Sequence, residues 1–264
     1  MSGTPQTTAN DLVEDVNRLI AGLTEFVPLS LEIRKLLKRI ESLKSVRTGE
    51  AFLLLGQIQF ALGDVAAMRE AMRVAEQYCD PVLFGEGMVP TLVNFGFFSE
   101  AQRLAQVSAN ATTGKFLAFL PVALRTGIFS HLAEQMAIFE NKMQLDAGND
   151  LHNQVAKAFA VASRYGLTDS AIGKTLDIVG DVYRSNKLPY AGDIGITTWG
   201  LNEFEDVEPH ICFDFSFARS PTKVVDLCDE FVNRLVSSPL GRLPDGLVIR
   251  FSTATERSSI PMAA

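Results

Sequence analysis

Three side chains with reactive or metal-binding groups alternate along one short stretch of the sequence: His210, Cys212 and Asp214. Imidazole, thiolate and carboxylate groups all bind zinc, and a thiol beside an imidazole is also a pair used in nucleophilic catalysis. A closed zinc site needs a fourth ligand, but Cys228 is predicted to face the core from a helix. No strained turn or oxyanion-binding loop accompanies the three residues. The pattern therefore favours a sheet face that is exposed or covered by a partner, and we predict no metal, no cofactor and no catalysis.

A second stretch, Ala171-Ile-Gly-Lys-Thr175, is similar to the end of a phosphate-binding loop. That loop also needs a glycine five residues before Gly173, where this sequence has Thr168, and it must follow a strand. Helical spacing precedes the stretch instead, and a helix cannot form the backbone cradle for a phosphate. The sequence predicts no nucleotide site here.

The reactive stretch lies in a region whose pattern predicts strand, strand, helix and strand. Residues 192–201 are extended in character, and residues 210–217 alternate strictly between apolar and polar types. Ser220-Pro221 is a typical helix start, and residues 247–252 form another strand pattern. The last strand, helix and strand should make a right-handed parallel crossover.

Strict alternation gives the strand at 210–217 two different faces. Ile211 and three phenylalanines point one way, and we expect the following helix to cover them. His210, Cys212 and Asp214 point the other way, onto a face that we expect to be free. Arg250 alternates onto the same face, next to Asp214. These four residues form a hypothetical secondary site.

The middle of the chain contains a repeated turn motif. Residues 90–101 and 121–132 both follow the pattern Pro-x5-Gly-x-Phe-Ser, 31 residues apart. Sequence periods of about 20 to 50 residues are typical of stacked helical repeats. Taking the turn glycines as markers, the array comprises Gly63, Gly96, Gly127 and Gly166. We expect Phe98 and Phe129 to fill the seam between neighbouring helical hairpins.

The first of these units carries the strongest family signal, in the residues Phe52, Leu55, Gly56, Phe60, Gly63, Asp64, Ala71 and Ala75. In this order and spacing the stretch resembles the tetratricopeptide-repeat family. Gly56 would let two helices touch, and Gly63-Asp64 would end one helix and begin the next. The resemblance covers about residues 47–186, roughly half of the chain. Two units place Pro90 and Pro121 inside the first helix, which predicts a repeated kink.

The resemblance implies a curved inner wall, built from the first helix of each unit, that holds a peptide or another protein. Aligned on the glycines, the predicted wall residues are Leu53, Gln57, Phe60, Glu86, Asn94, Leu117 and Arg125.

The segment before the repeats predicts two further helices. Residues 11–23 have helical spacing, and a helix after Pro28 carries one apolar and one basic stripe. The basic stripe is typical of the solvated side of a helical hairpin. The predicted fold is mainly α: an N-terminal hairpin (1–46), a tetratricopeptide-like solenoid (47–188), a ββαβ module (189–255) and a flexible tail (256–264).

Composition narrows the function classes. A formal charge of −7 over 264 residues argues against nucleic-acid binding, which needs a basic face. No apolar run is long enough to suggest a membrane span, and no secretory signal is evident at the start. Three widely separated cysteines do not form a disulfide framework, which favours a cytoplasmic location.

These observations predict a non-catalytic adaptor that binds another protein or peptide through the inner wall. The acidic run at 203–208 suggests a basic partner, such as a toxin that the chain neutralises. The alternative is a ligand-sensing or enzymatic α/β module whose site is the face of His210 and Arg250. A further alternative is a homodimer paired through that face.

Overall fold

The computed structural model describes residues 5–21, 23, 25–110, 115–143, 150–189, 194–201 and 207–254. These residues form eleven helices and a small three-stranded sheet. The prediction of a mainly α fold followed by a small sheet is confirmed. Within the described part of 50–185 every regular element is a helix. The tail at 256–264 and most of the acidic run, 203–206, lie outside the described residues.

The chain divides into two compact units: residues 1–95 with 183–191, and residues 96–182 with 192–264. These two units are a different division from the four segments predicted from the sequence, and the four-segment division stays a prediction.

The first unit contains five helices: α1 (Pro5–Ala21), α2 (Leu31–Leu43), α3 (Thr48–Leu62), α4 (Val65–Tyr78) and α5 (Pro81–Asn94). Its α1, α2 and α3 share a core that includes Leu12, Val16, Ile40 and Ile58. The predicted break between the third and fourth helices is confirmed. Gly63 ends α3 in the left-handed conformation, with φ of 75°, and the Asp64 carboxylate accepts a hydrogen bond from the Ala67 N–H.

Gly56 differs from its predicted role in the contact between α3 and α4. A Cβ atom placed there would lie 3.7 Å from the Ala71 Cβ, which is ordinary van der Waals contact. The two helices do pack together, but their approach does not require glycine at this position.

The second unit contains the remaining elements: α6 (Phe98–Ser108), α7 (Phe116–Leu124), α8 (Phe129–Met143), α9 (Asp150–Tyr165), most of α10 (Asp169–Ser185), β1 (Ile194–Trp199), β2 (His210–Phe217), α11 (Pro221–Ser237) and β3 (Leu247–Thr253). The sheet order is β1-β2-β3, with β1 antiparallel and β3 parallel to β2. The predicted order of strand, strand, helix and strand is confirmed, and so is the parallel pairing of the last two strands. The Ser220 hydroxyl caps α11 by accepting a hydrogen bond from the Lys223 N–H.

The two copies of the repeated turn are recognised by one helix, α10. In the first copy the Ser99 N–H donates to the Asp177 carboxylate at 3.0 Å. In the second copy the Ser130 and His131 N–H groups donate to the Asp169 carboxylate at 2.9 and 3.1 Å. These donors begin α6 and α8, so α10 caps both helices with side chains from outside them.

The turn glycines face the same helix at the same spacing. A Cβ at Gly96 would lie 2.2 Å from the Gly180 Cα, and a Cβ at Gly127 would lie 2.5 Å from the Ile172 Cγ2. Both turn glycines also have positive φ, 73° and 78°. Ile172 and Gly180 are eight residues apart, as Asp169 and Asp177 are. Each turn therefore meets α10 through one carboxylate and one close packing position at the same spacing.

The repeated phenylalanines pack on the sheet, a contact that the prediction of a seam between hairpins did not include. The Phe98 ring lies 6.1 Å from Phe215, and the Phe129 ring lies 5.9 Å from Phe213. On the same face of the sheet, the α11 residue Phe231 lies 5.6 Å from Phe251 of β3, which is paired with Phe215. The phenylalanine face of β2 is therefore covered by repeat helices, while α11 covers β3.

Candidate functional site

The candidate site is the sheet face opposite the phenylalanines, together with the connected ends of β1 and β2. Its cross-strand rows, read from β1 to β3, are Trp199–His210, then Thr197–Cys212–Val248, then Gly195–Asp214–Arg250, then Ser216–Ser252. The predicted neighbour relation of Asp214 and Arg250 is confirmed by this register.

A hydrogen-bond network occupies one end of this face. The Ser252 hydroxyl donates to the Asp214 carboxylate at 2.7 Å and lies 2.9 Å from the Ser216 hydroxyl. Both serines are buried, and Asp214 is half-buried. The prediction of an entirely free face is therefore wrong at this end. Asp214 is held by Ser252 and is not directed as an isolated base at solvent.

The thiol of Cys212 is poorly suited to nucleophilic chemistry. Burial raises its pKa, the negative charge of Asp214 raises it further, and Arg250 and a hydrogen bond with Thr197 act in the opposite direction. Only 8% of the residue is exposed. Because the thiolate is the reactive species, a raised pKa and low exposure both oppose catalysis.

We expect all three cysteines to react slowly in the folded protein. Burial, Glu50 and Asp80 raise the pKa of Cys79 to about 11, and the pKa values of Cys212 and Cys228 are also raised. At pH 8, iodoacetamide should alkylate Cys79 more than about tenfold slower in the native than in the urea-unfolded chain, and labelling should accelerate toward pH 11. Peptide mass spectrometry would follow each cysteine. Fast native labelling of Cys212 would contradict the unreactive assignment.

At the other end of the face, Gly200 after β1 lies close to the backbone of residues 207–209 before β2. A Cβ at Gly200 would lie 2.3 Å from the Val207 carbonyl oxygen, and Gly200 has a φ of 70°. The close backbone contact and the positive φ both require glycine at this position. Nearby, the His210 Nδ1–H donates to the Glu208 carbonyl oxygen at 2.9 Å. This bond occupies one ring nitrogen of His210.

Exposed apolar side chains occur on the described residues of both flanks of this connection. Trp199 is 52% exposed and Val207 is 51% exposed, with Leu201 between them in the chain. We call Trp199, Leu201 and Val207 the hairpin patch. The indole N–H of Trp199 donates to the Thr197 hydroxyl at 3.1 Å, which orients the ring along β1. An aromatic ring that is exposed yet oriented is a typical anchor for a protein contact.

Sequence reasoning did not select the hairpin patch, although a signal was present. Trp199 is the single tryptophan of the chain, and it lies in a segment of small and polar residues directly before the acidic run. A large aromatic residue in such a segment has few neighbours that could bury it.

The predicted inner wall is not one accessible surface. Phe60 is fully buried and lies 4.6 Å from Phe95, measured between ring centroids. Leu53 is buried as well, and the buried Gln57 amide donates to the Gly87 carbonyl oxygen. These three residues cannot contact a partner in this structure, because the first unit itself covers α3.

The remaining wall residues keep accessible surface. Glu86 and Asn94 are half-buried in the first unit, and in the second unit Leu117 is exposed and Arg125 is half-buried.

Neither the phosphate-loop stretch nor a metal cluster provides another site. Residues 171–175 lie inside α10, where a Cβ at Gly173 would meet the Gln102 side chain at 2.2 Å. Gln102 in turn donates to the Thr126 and Asp169 carbonyl oxygens, so this glycine serves packing. Across the described ranges, no group of three or more His, Cys, Asp or Glu residues could hold a metal ion.

The basic stripe of α2 borders a groove of about 620 Å³ in the first unit. Arg39 on the rim of this groove pairs with Asp15 of α1 at 2.5 Å. Part of the basic stripe is thus neutralised within the unit, as expected for a helical hairpin.

A search for membrane-spanning helices and three comparisons with known proteins complete the description. In the part of the chain that the structure describes, no helix is both long enough and apolar enough to cross a bilayer. The sequence matched no protein-family model and no curated protein, and the fold matched no solved structure.

Proposed function

We propose that this chain is a non-catalytic adaptor that binds a basic protein through the hairpin patch. The observation that carries the proposal is the exposed, oriented ring of Trp199, directly before Gly200, which lies against the Val207 backbone. Tryptophan is enriched among the residues that contribute most to protein–protein binding. An apolar anchor at the end of a hairpin can contribute to binding without a deep pocket in this chain.

Charge supports a basic partner. The segment that joins β1 to β2 contributes four carboxylates, Glu203, Glu205, Asp206 and Glu208, and the whole chain has a formal charge of −7. Carboxylates close in sequence to an apolar anchor would accelerate association with a cationic protein and disfavour acidic ones. A toxin or nuclease with a basic surface has this chemistry.

The tetratricopeptide-like arrangement belongs to this proposal as well. Helical hairpins with glycine turns are a common support for protein contacts. We propose that Leu117 and Arg125, and separately Glu86 and Asn94, add secondary contacts from the helical hairpins.

The α/β-enzyme alternative has weaker support. It requires a reactive group on the sheet face, but the Cys212 thiol has a raised pKa and Asp214 is hydrogen-bonded to Ser252. We therefore favour binding over catalysis for this face.

The proposal predicts a large effect of one substitution. Trp199→Ala should weaken capture of the partner by about 30-fold or more, the usual size for a central tryptophan anchor. Affinity purification with the tagged wild-type chain, followed by mass spectrometry, would identify candidate partners. Titration of each purified candidate would then give its dissociation constant for both chains.

Tyr78→Ala is the matched control, because Tyr78 is an aromatic residue with 64% exposure in the first unit. It should leave the affinity unchanged. Raising the salt concentration should weaken binding of the wild-type chain by screening the carboxylates. Equal capture by wild type and Trp199→Ala, or an affinity independent of salt, would refute the proposal.

A further inference from the structure

One side of α11 carries an apolar stripe that faces solvent. Val225, Val232 and Val236 are 57%, 47% and 64% exposed. At positions i, i+7 and i+11 they fall within about 40° of one another around the helix and extend over roughly 16 Å. We call these three residues the valine stripe.

The stripe is separate from the face by which α11 is anchored. Val224, Leu227, Phe231 and Leu235 are buried, and the Phe231 ring lies 5.6 Å from Phe251. The core-facing side of α11 is therefore already buried within the second unit. Isolated exposed valines are common on protein surfaces, but three on one line offer a second helix several apolar contacts.

The polar side next to the stripe is acidic. Asp226 and Asp229 are exposed, and with Glu230 and Asn233 they line an open depression of about 540 Å³. The nearby cation, Arg234, is held by Glu230 through two hydrogen bonds of 2.9 and 2.7 Å. The two aspartates thus leave net negative charge beside the apolar line.

We propose that α11 docks an amphipathic helix of a partner protein, one whose apolar stripe is bordered by lysine or arginine. The valine stripe would contact the apolar side of the partner helix, and Asp226 and Asp229 would pair with its lysines or arginines. The proposal rests on the protein-binding function above but uses a different surface, so it can fail or succeed independently of the hairpin patch.

A designed peptide tests the inference directly. The probe is a fluorescein-labelled helix of about 18 residues with leucine at i, i+3, i+4 and i+7 and lysine at the flanking positions. Fluorescence anisotropy with the full chain should show binding that weakens with salt. A peptide with glutamate in place of lysine should bind at least about tenfold more weakly.

Variants then locate the peptide. Val225→Ser/Val232→Ser should weaken binding by about tenfold or more, whereas Val107→Ser, at a 60% exposed valine of α6, should not. Asp226→Asn/Asp229→Asn should reduce the salt dependence. Trp199→Ala should bind the peptide like wild type, which separates this test from that of the hairpin patch. Circular dichroism would confirm that each variant is folded.

Three results of the peptide experiment would overturn the inference. They are absence of binding by the lysine peptide, equal binding of the glutamate peptide, and equal binding by Val225→Ser/Val232→Ser. A concentration-dependent dimer that Val232→Asp abolishes would also overturn it, because the stripe would then be covered by a second copy.

Discussion

Gly180→Ala should lower the free energy of unfolding by about 3 kcal/mol or more, at or above the upper end of the range for overpacking. A Cβ at position 180 would lie 1.8 Å from the carbonyl oxygen of Gly96. Gly96 cannot move easily, since it occupies the left-handed turn region and the Ser99 N–H that follows is held by Asp177. Backbone therefore meets backbone, and no side-chain rotation can relieve the clash.

The control is Gly56→Ala, the same change inside another helix. There the new Cβ would make ordinary contacts of 3.7–3.8 Å, so alanine's higher helix propensity should raise stability by up to about 1 kcal/mol. Urea denaturation followed by circular dichroism would compare both variants with wild type. An alanine at position 180 that is neutral or stabilising would show that α10 does not lie against the first repeated turn as described.

Local pattern was sufficient to predict the elements in this chain. The alternation at 210–217 predicted β2 with its observed bounds, and Gly63, Gly96, Gly127 and Gly166 all have positive φ. These features depend on residues close together in the sequence, so periodicity and turn chemistry are enough to find them.

The long-range contacts of the same residues were not predictable in this way. Asp169 and Asp177 are ordinary acidic residues of a helix until α10 is known to lie along both turns. Sequence spacing alone identifies the repeat, but it does not show which element recognises it.

The inner wall failed for a different reason, and the sequence contained a warning. Residues 51–62 are apolar at nearly every position, and a helix that is apolar all around is buried. The alignment on turn glycines treated Phe60 as facing a groove, whereas α3 has neighbours on several sides. Gln57 was misleading because its amide is satisfied by the Gly87 carbonyl oxygen inside the unit.

Removing a phenylalanine from β2 should have an effect as large as the glycine change. Phe215 is fully buried, and its ring lies 6.1 Å from both Phe98 and Phe251. Phe215→Ala should therefore lower the free energy of unfolding of the second unit by about 3–5 kcal/mol, through lost apolar burial and the cavity left behind. Urea denaturation followed by the fluorescence of Trp199, which lies in this unit, would measure the loss.

Phe159→Ala provides the comparison, because Phe159 belongs to α9 of the same unit and is 38% exposed. The same atoms are deleted there, but solvent can fill the space, so the change should stay within about 1 kcal/mol. If the two variants unfold at the same urea concentration, Phe215 does not connect the repeated turn to the sheet. The sheet would then not stabilise the repeat helices, and Phe98 and Phe129 of the 31-residue repeat would have to pack against another element.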